Sequence, residues 1–136
     1  MQRSESSTRP IEIEKFARTR ELWMRRNIIE VEKEAEDGSH YTAYEYDEAM
    51  CHTTDPLEVI QAHPDTFWAM CNDEYAYLNV EEYLRARRQD ECFTVVDRPL
   101  WLDSLEPEKL EEIKAWRVLW LEVTNSLEIP AKPEWL

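Results

Sequence analysis

The side chains best equipped for chemistry in this chain are Cys51, Cys71 and Cys92, with His52 and His63 among them. Cys51, His52, His63 and Cys71 could meet at one metal only if the fold gathered them. Their spacing (C-H, ten residues, H, seven residues, C) follows none of the zinc-site patterns. Cys51 and His52 are neighbours, and in an extended segment neighbours point to opposite faces, so no metal is expected. A Cys–His nucleophile needs an electropositive, partly exposed pocket, whereas this chain carries 30 acidic against 16 basic residues, a net charge of −14. Carboxylates are so frequent that pairs at glycosidase separation arise by chance and identify no acid and base. A single glycine excludes a P-loop, a dinucleotide fingerprint or a nucleophile elbow. The expectation is a protein that is not an enzyme, with no catalytic residue and no cofactor. Three cysteines at wide spacing are no disulfide framework and suit buried, unreactive thiols in a reducing compartment.

The tryptophans carry more information. Four of the six, Trp101, Trp116, Trp120 and Trp135, fall in the last 36 residues. Two readings stand side by side: these indoles are the core of a C-terminal subdomain, or they are contacts to a partner, because Trp is enriched in interface hot spots and amphipathic helices are common docking elements. Residues 106–127 read as the strongest helix. Pro107 suits the first helical position, Glu106 and Glu108 suit the positive end of the helix, and Leu110, Ile113, Trp116, Trp120, Val123 and Leu127 recur every three or four residues. Val118, Leu119 and Leu121 widen the stripe, so 118–121 reads as buried all round, in part by a partner. Two prolines keep the closing Ile129–Leu136 segment out of a helix, and its terminal Trp135-Leu136 should dock. The partner-contact candidates are Trp101, Trp116, Trp120, Val123, Trp135 and Leu136.

Further back, Asp37-Gly38 marks a two-residue type I′ hairpin loop. Glu36 then pairs with Ser39, and further out Val31 faces Tyr44, Ile29 faces Tyr46 and Lys33 faces Thr42. The other side carries Glu30 opposite Glu45, Glu32 opposite Ala43 and Glu34 opposite Tyr41. One face is apolar and aromatic and the other acidic, with Glu30, Glu32, Glu34 and Glu45 as its carboxylates. Glu30 opposite Glu45 costs a few tenths of a kcal/mol unless a basic partner covers them; the plainer reading of the face is solvated surface that keeps the protein soluble. An isolated hairpin is marginal in water, so this one must pack on something else.

Residues 55–90 read as short helices. Asp55 caps a turn with Pro56 at its first position, His63-Pro64-Asp65 ends that helix and opens another with Phe67, Trp68 and Met70, and Asp73 precedes a stripe of Tyr75, Tyr77, Leu78, Val80, Tyr83 and Leu84. Phe93-Thr94-Val95-Val96 reads as extended. The expected class is α+β: an antiparallel hairpin packed with several helices, a long C-terminal amphipathic helix and a docked proline-rich tail. A length of 136 residues suits one domain overall, with an N-terminal arm (1–19), a hairpin plus short helices (20–97) and a C-terminal helical module (98–136). No apolar run approaches the roughly 20 residues that span a bilayer, and the polar start is no secretory signal. The acidic surface repels phosphate backbones and anionic lipid, so neither nucleic acid nor membrane is an expected partner.

The run Arg98-Pro99-Leu100-Trp101-Leu102-Asp103-Ser104-Leu105 leads into Pro107-Glu108, then Trp116-Arg117, Trp120-Leu121 and Val123-Thr124, and the chain closes on Ile129-Pro130, Pro133 and Trp135-Leu136. This resembles the C-terminal module of small tail and tail-fibre assembly proteins of tailed bacteriophages, in which a W-x-D-x-L-x-P-E opening, a W-R helix reaching V-T and a P-x-x-P-x-W-L ending recur. Glu106 stands where that pattern usually has a Ser or Thr cap, and Glu122 where Asp is common. Trp23–Val31 with Tyr41–Glu48 is similar to a hairpin of other small phage and prophage proteins; residues 49–97 carry no resemblance. The resemblance implies a virion-associated structural protein of the tail, baseplate or fibre attachment. It would act by contact with other phage structural proteins in a homo- or hetero-oligomeric assembly. The alternatives are a tail-fibre assembly chaperone and an acidic phage-encoded inhibitor that occupies a nucleic-acid channel of a host defence complex.

Overall fold

The computed structural model describes residues 1–73 and 77–136. The chain is α+β and divides into two compact units, Met1–Tyr77 and Leu78–Leu136. The boundary therefore lies well before the expected 97/98. Residues 1–19 are also no arm, because they supply two strands of a sheet.

In the first unit β1 (Gln2–Ser6), β2 (Ile13–Lys15), β3 (Glu21–Glu34) and β4 (His40–His52) form an antiparallel sheet in the order β1-β4-β3-β2. The long hairpin β3–β4 is where expected, but its register is one residue off. The loop has three residues, Glu36 to Gly38. Ala35 N–H donates to Ser39 O (2.8 Å), Gly38 N–H donates to Ala35 O (2.9 Å), and Gly38 takes φ +84°. That is a type I turn closed by a left-handed glycine, the common three-residue alternative to the primed two-residue turn. Asp37 Oδ1 fixes it by accepting from the Ser39 N–H and hydroxyl. A one-residue slip moves side chains to the other face. Val31 thus pairs with Ala43, Ile29 with Glu45 and Glu30 with Tyr44, and the Glu30–Glu45 repulsion does not arise. Further along, Asn27 and Ile28 oppose Tyr46 alone in a β-bulge, with Asn27 at φ +54° and its amide donating to Asp47 Oδ2 (2.7 Å).

One sheet face supplies Leu22, Met24 and Ala49 to the core, and α1 (Leu57–Ala62) and α2 (Pro64–Asn72) supply Ile60, Phe67, Met70 and Cys71. As expected, Pro64 opens the second helix, since its missing N–H costs nothing in a first turn. Pro56 is the residue before α1 and not its first, one place off the expectation.

In the second unit α3 (Val80–Arg87) continues without interruption through a π-helical stretch (Arg88–Phe93) into α4 (Thr94–Val96). Asn79 caps it: its Oδ1 accepts from Glu82 N–H, and Glu82 Oε2 accepts from Leu78 N–H, both at 2.9 Å, a reciprocal capping arrangement. Tyr77 and Leu78 precede this helix; Tyr75, at the head of the expected stripe, lies outside the described residues. Phe93–Val96 is helical, not extended. Burial of Val80, Tyr83, Leu84, Cys92 and Val96 along one rod outweighs the weak strand preference of Thr-Val-Val. A short helix absent from the sequence reading, α5 (Pro99–Ser104), follows with proline in its first turn.

The expected 106–127 helix is two: α6 (Pro107–Leu121) and α7 (Val123–Ser126), separated at Glu122. Leu127 then turns left-handed at φ +56°, a conformation that costs a non-glycine residue roughly 1–2 kcal/mol. Segment 118–121 is not buried all round: Trp120 is buried, while Val118, Leu119 and Leu121 are exposed. One buried stripe suffices to seat the helix.

Candidate functional site

The C-terminal unit is built around α6. Ile113, Trp116 and Trp120 point inward from it and Val123 joins them from α7. The two indoles meet edge to face, centroids 6.5 Å apart at 81°, the favoured geometry of aromatic pairs. Trp120 and Val123 are fully enclosed and Trp116 is 4% exposed. These three of the six expected partner contacts are therefore core residues, because a side chain without surface has nothing to offer a partner. Neither buried indole N–H has an acceptor among the described residues.

Trp101, Trp135 and Leu136 are half-buried. The tail does dock on its own unit: Pro133 is buried, Trp135 Nε1–H donates to Glu112 Oε2 (2.7 Å), and the Lys109 ammonium lies 5.1 Å from the centre of the Trp135 ring. Both partners come from the first half of α6, one helical step of three residues apart, so the helix offers the indole a carboxylate and a cation on one side. Arg98 stacks over Trp101 at 5.1 Å.

The outward apolar side chains of this unit lie elsewhere. Leu100 is 86% exposed on α5, and Val118 and Leu119 are 55% and 56% exposed on α6, with Leu121 exposed beside them. At 100° per residue Val118 stands nearly opposite Trp120, and Leu119 and Leu121 flank it. The signal was present in the sequence: these three positions miss the 113-116-120-123 stripe and so lie off the buried face.

In the N-terminal unit Glu30, Glu32 and Glu34 share one face of β3 and are exposed. Glu45 does not join them. It lies on the opposite face, where Lys33 holds it at 3.1 Å and Glu5 at 2.5 Å, so the four carboxylates expected as one acidic face are divided by the register. A polar centre that sequence reasoning missed lies further down the sheet. Arg25 bridges Glu48 (2.8 Å) and Glu14 (2.9 Å), and Glu48 also accepts from Gln2 Nε2 (3.1 Å) and Ser4 Oγ (3.2 Å). Burial by itself pushes the Glu48 carboxyl up, but the hydrogen bonds from Arg25, Gln2 and Ser4 outweigh it and hold the group below the usual glutamate range. Four different strands contribute these residues, so no local spacing announced them.

Of the four residues weighed as metal ligands, Cys51 and Cys71 come together, with Sγ atoms 3.0 Å apart. Cys92 lies in the other unit. Cys51 is half-buried, less enclosed than expected. Among the described residues no group of three or more His, Cys, Asp and Glu is placed to hold a metal ion. None of the described helices is long and apolar enough to cross a membrane. No protein-family model matches the chain, and neither a curated protein nor a solved structure does.

Proposed function

We propose that this chain works by protein–protein contact, as a virion-associated protein of a tailed bacteriophage in the tail, baseplate or fibre attachment. The phage setting rests on the resemblance of the 98–136 module. The observation that supports action by contact is the outward side of α6, where Val118, Leu119 and Leu121 face solvent while the same helix buries Trp116 and Trp120. Exposed aliphatic side chains grouped on one rigid helix suit a helix-in-groove or face-to-face contact. The partner is another structural protein of the particle, which contributes the complementary apolar surface.

The test is mass spectrometry of purified particles carrying either the native chain or a Val118→Asp, Leu119→Asp double variant. The native chain should be found in the particle. The variant should keep its circular dichroism spectrum but be depleted from the particle at least tenfold. Absence of the native chain from particles, or normal incorporation of the folded variant, overturns the proposal. Contact of this kind also resists salt, whereas capture through the glutamate row of β3 would weaken steeply as ionic strength rises.

A further inference from the structure

We propose that Cys51 and Cys71 form a dithiol site that reacts with low-molecular-weight disulfides and closes to an intramolecular disulfide joining β4 to α2. Three observations carry this, independently of the contact function. The two thiols come from different elements, β4 and α2, and their sulfurs stand 3.0 Å apart, closer than the ordinary contact of two unbonded sulfurs. They are not bonded to each other, and bonded sulfurs sit about 2.05 Å apart, so about 1 Å separates the pair from the bonded distance. The site is also reachable: Cys51 is half-buried and so keeps surface of its own, and the enclosed Cys71 borders a cleft of about 330 Å³ lined by Met1, Gln2, Trp23, Glu48, Ala49 and Met50.

The pair is asymmetric. The Cys71 thiol donates to Cys51, which lowers Cys51, with Lys15 adding to the effect and burial and Asp55 opposing it; the same hydrogen bond and burial push Cys71 up. Cys51, the more exposed of the two, is the attacking thiolate and Cys71, the enclosed one, the resolving thiol. In the first step Cys51 Sγ attacks one sulfur of the small disulfide. The disulfide bond breaks, the first small thiolate leaves and takes up a proton, and Cys51 carries a mixed disulfide. In the second, Cys71 gives up its proton and attacks Cys51 Sγ, expelling the second small thiolate, which is protonated in turn. Overall two protein thiols are oxidised by two electrons, and one small disulfide is reduced to two small thiols. Cys92, buried in the other unit and pushed up to about 11 mainly by burial, takes no part.

The experiment is to equilibrate the reduced, full chain in glutathione buffers of increasing oxidised fraction, quench by alkylation, and weigh the intact protein. Asp55, Glu58 and Asp65 separate the two cysteines, so cleavage at acidic residues maps the link. The expected product has lost two hydrogens, joins the Cys51 and Cys71 peptides and keeps Cys92 alkylated; its unfolding midpoint in urea should rise. Cys71→Ser should trap one glutathione on Cys51, and Cys51→Ser should slow reaction at Cys71 at least tenfold. The proposal fails if native protein stays reduced in the most oxidising buffer, if glutathione persists on Cys51 with Cys71 free, or if the link formed involves Cys92. The native-chain readings decide the matter even where a variant folds poorly.

Discussion

Truncating Trp120 to Ala separates a core indole from a contact indole. The ring is fully enclosed, and a tryptophan buries roughly 150–250 Å²; at about 25 cal/mol per Å² that is worth roughly 4–6 kcal/mol. Loss of the edge contact with Trp116 removes a further ~1 kcal/mol. Against this stands the Trp120 Nε1–H, buried without an acceptor among the described residues, whose desolvation penalty of about 1–3 kcal/mol disappears with the ring. The net loss should fall at the low end for buried aromatics, about 3 kcal/mol. With a urea dependence of about 1–3 kcal/mol per molar, the midpoint should drop by about 1–3 M. Hydrogen exchange should place the loss in Leu78–Leu136. Trp120→Phe keeps an aromatic ring and discards the unpaired donor, so it should cost less than about 1.5 kcal/mol. Urea titration followed by circular dichroism measures both. An alanine variant as stable as the native chain, or one that keeps its stability but loses the particle, would refute the assignment of this ring to the core.

Two further outcomes concern the first unit. The Arg25 and Glu48 side chains are only 14% and 11% exposed, so Arg25→Met should strand a buried carboxylate and cost about 3 kcal/mol near pH 7. In the native chain Glu48 is held below its ordinary value, so its contribution is fully present above the unfolded glutamate value of about 4.3. It fades as pH falls through the lower folded value. In Arg25→Met the stranded carboxylate takes up a proton more readily, so the gap between the two proteins should narrow below about pH 4; a gap that widens on acidification would contradict the network. At the hairpin loop, Gly38→Ala places a Cβ in open space but at φ +84°, so it should cost about 1 kcal/mol from backbone conformation alone. An unchanged midpoint would show that the turn relaxes.

The parts of the fold that were legible in the sequence are those where one residue type has one physical use. Pro64 and Pro107 open helices because a first turn needs no N–H there, and Pro130 and Pro133 keep the tail from continuing one. The stripe at 113, 116, 120 and 123 reports its buried face directly. Register was not legible, because Asp37-Gly38 serves both a two-residue and a three-residue loop, and what distinguishes them is the set of hydrogen bonds in the folded turn, including those that Ser39 donates to Asp37 Oδ1. The slip had a large effect on the candidate surface: it divided Glu45 from Glu30, Glu32 and Glu34. The Arg25–Glu48 centre was hidden for a related reason, since an ion pair across strands is visible only once the strands are aligned.

Helix ends were obscured by a shortage of glycine. The one glycine is spent at residue 38, so the other left-handed positions among the described residues fall on Arg20, Asn27 and Leu127, and of these only Asn is a familiar signal. The same economy bears on the tryptophans. A unit as short as Leu78–Leu136 has little interior per residue, and large aromatic side chains are the most effective way to fill it. Trp116 and Trp120 are consumed in that task, and Trp135 holds the tail to Glu112 and Lys109. What the unit has left to present outward, among the described residues, is aliphatic: Leu78, Leu100, Val118, Leu119 and Leu121. In a small helical unit, then, a concentration of indoles points first to how the unit holds itself together, and the contact surface is better sought among apolar positions that fall off the buried stripe.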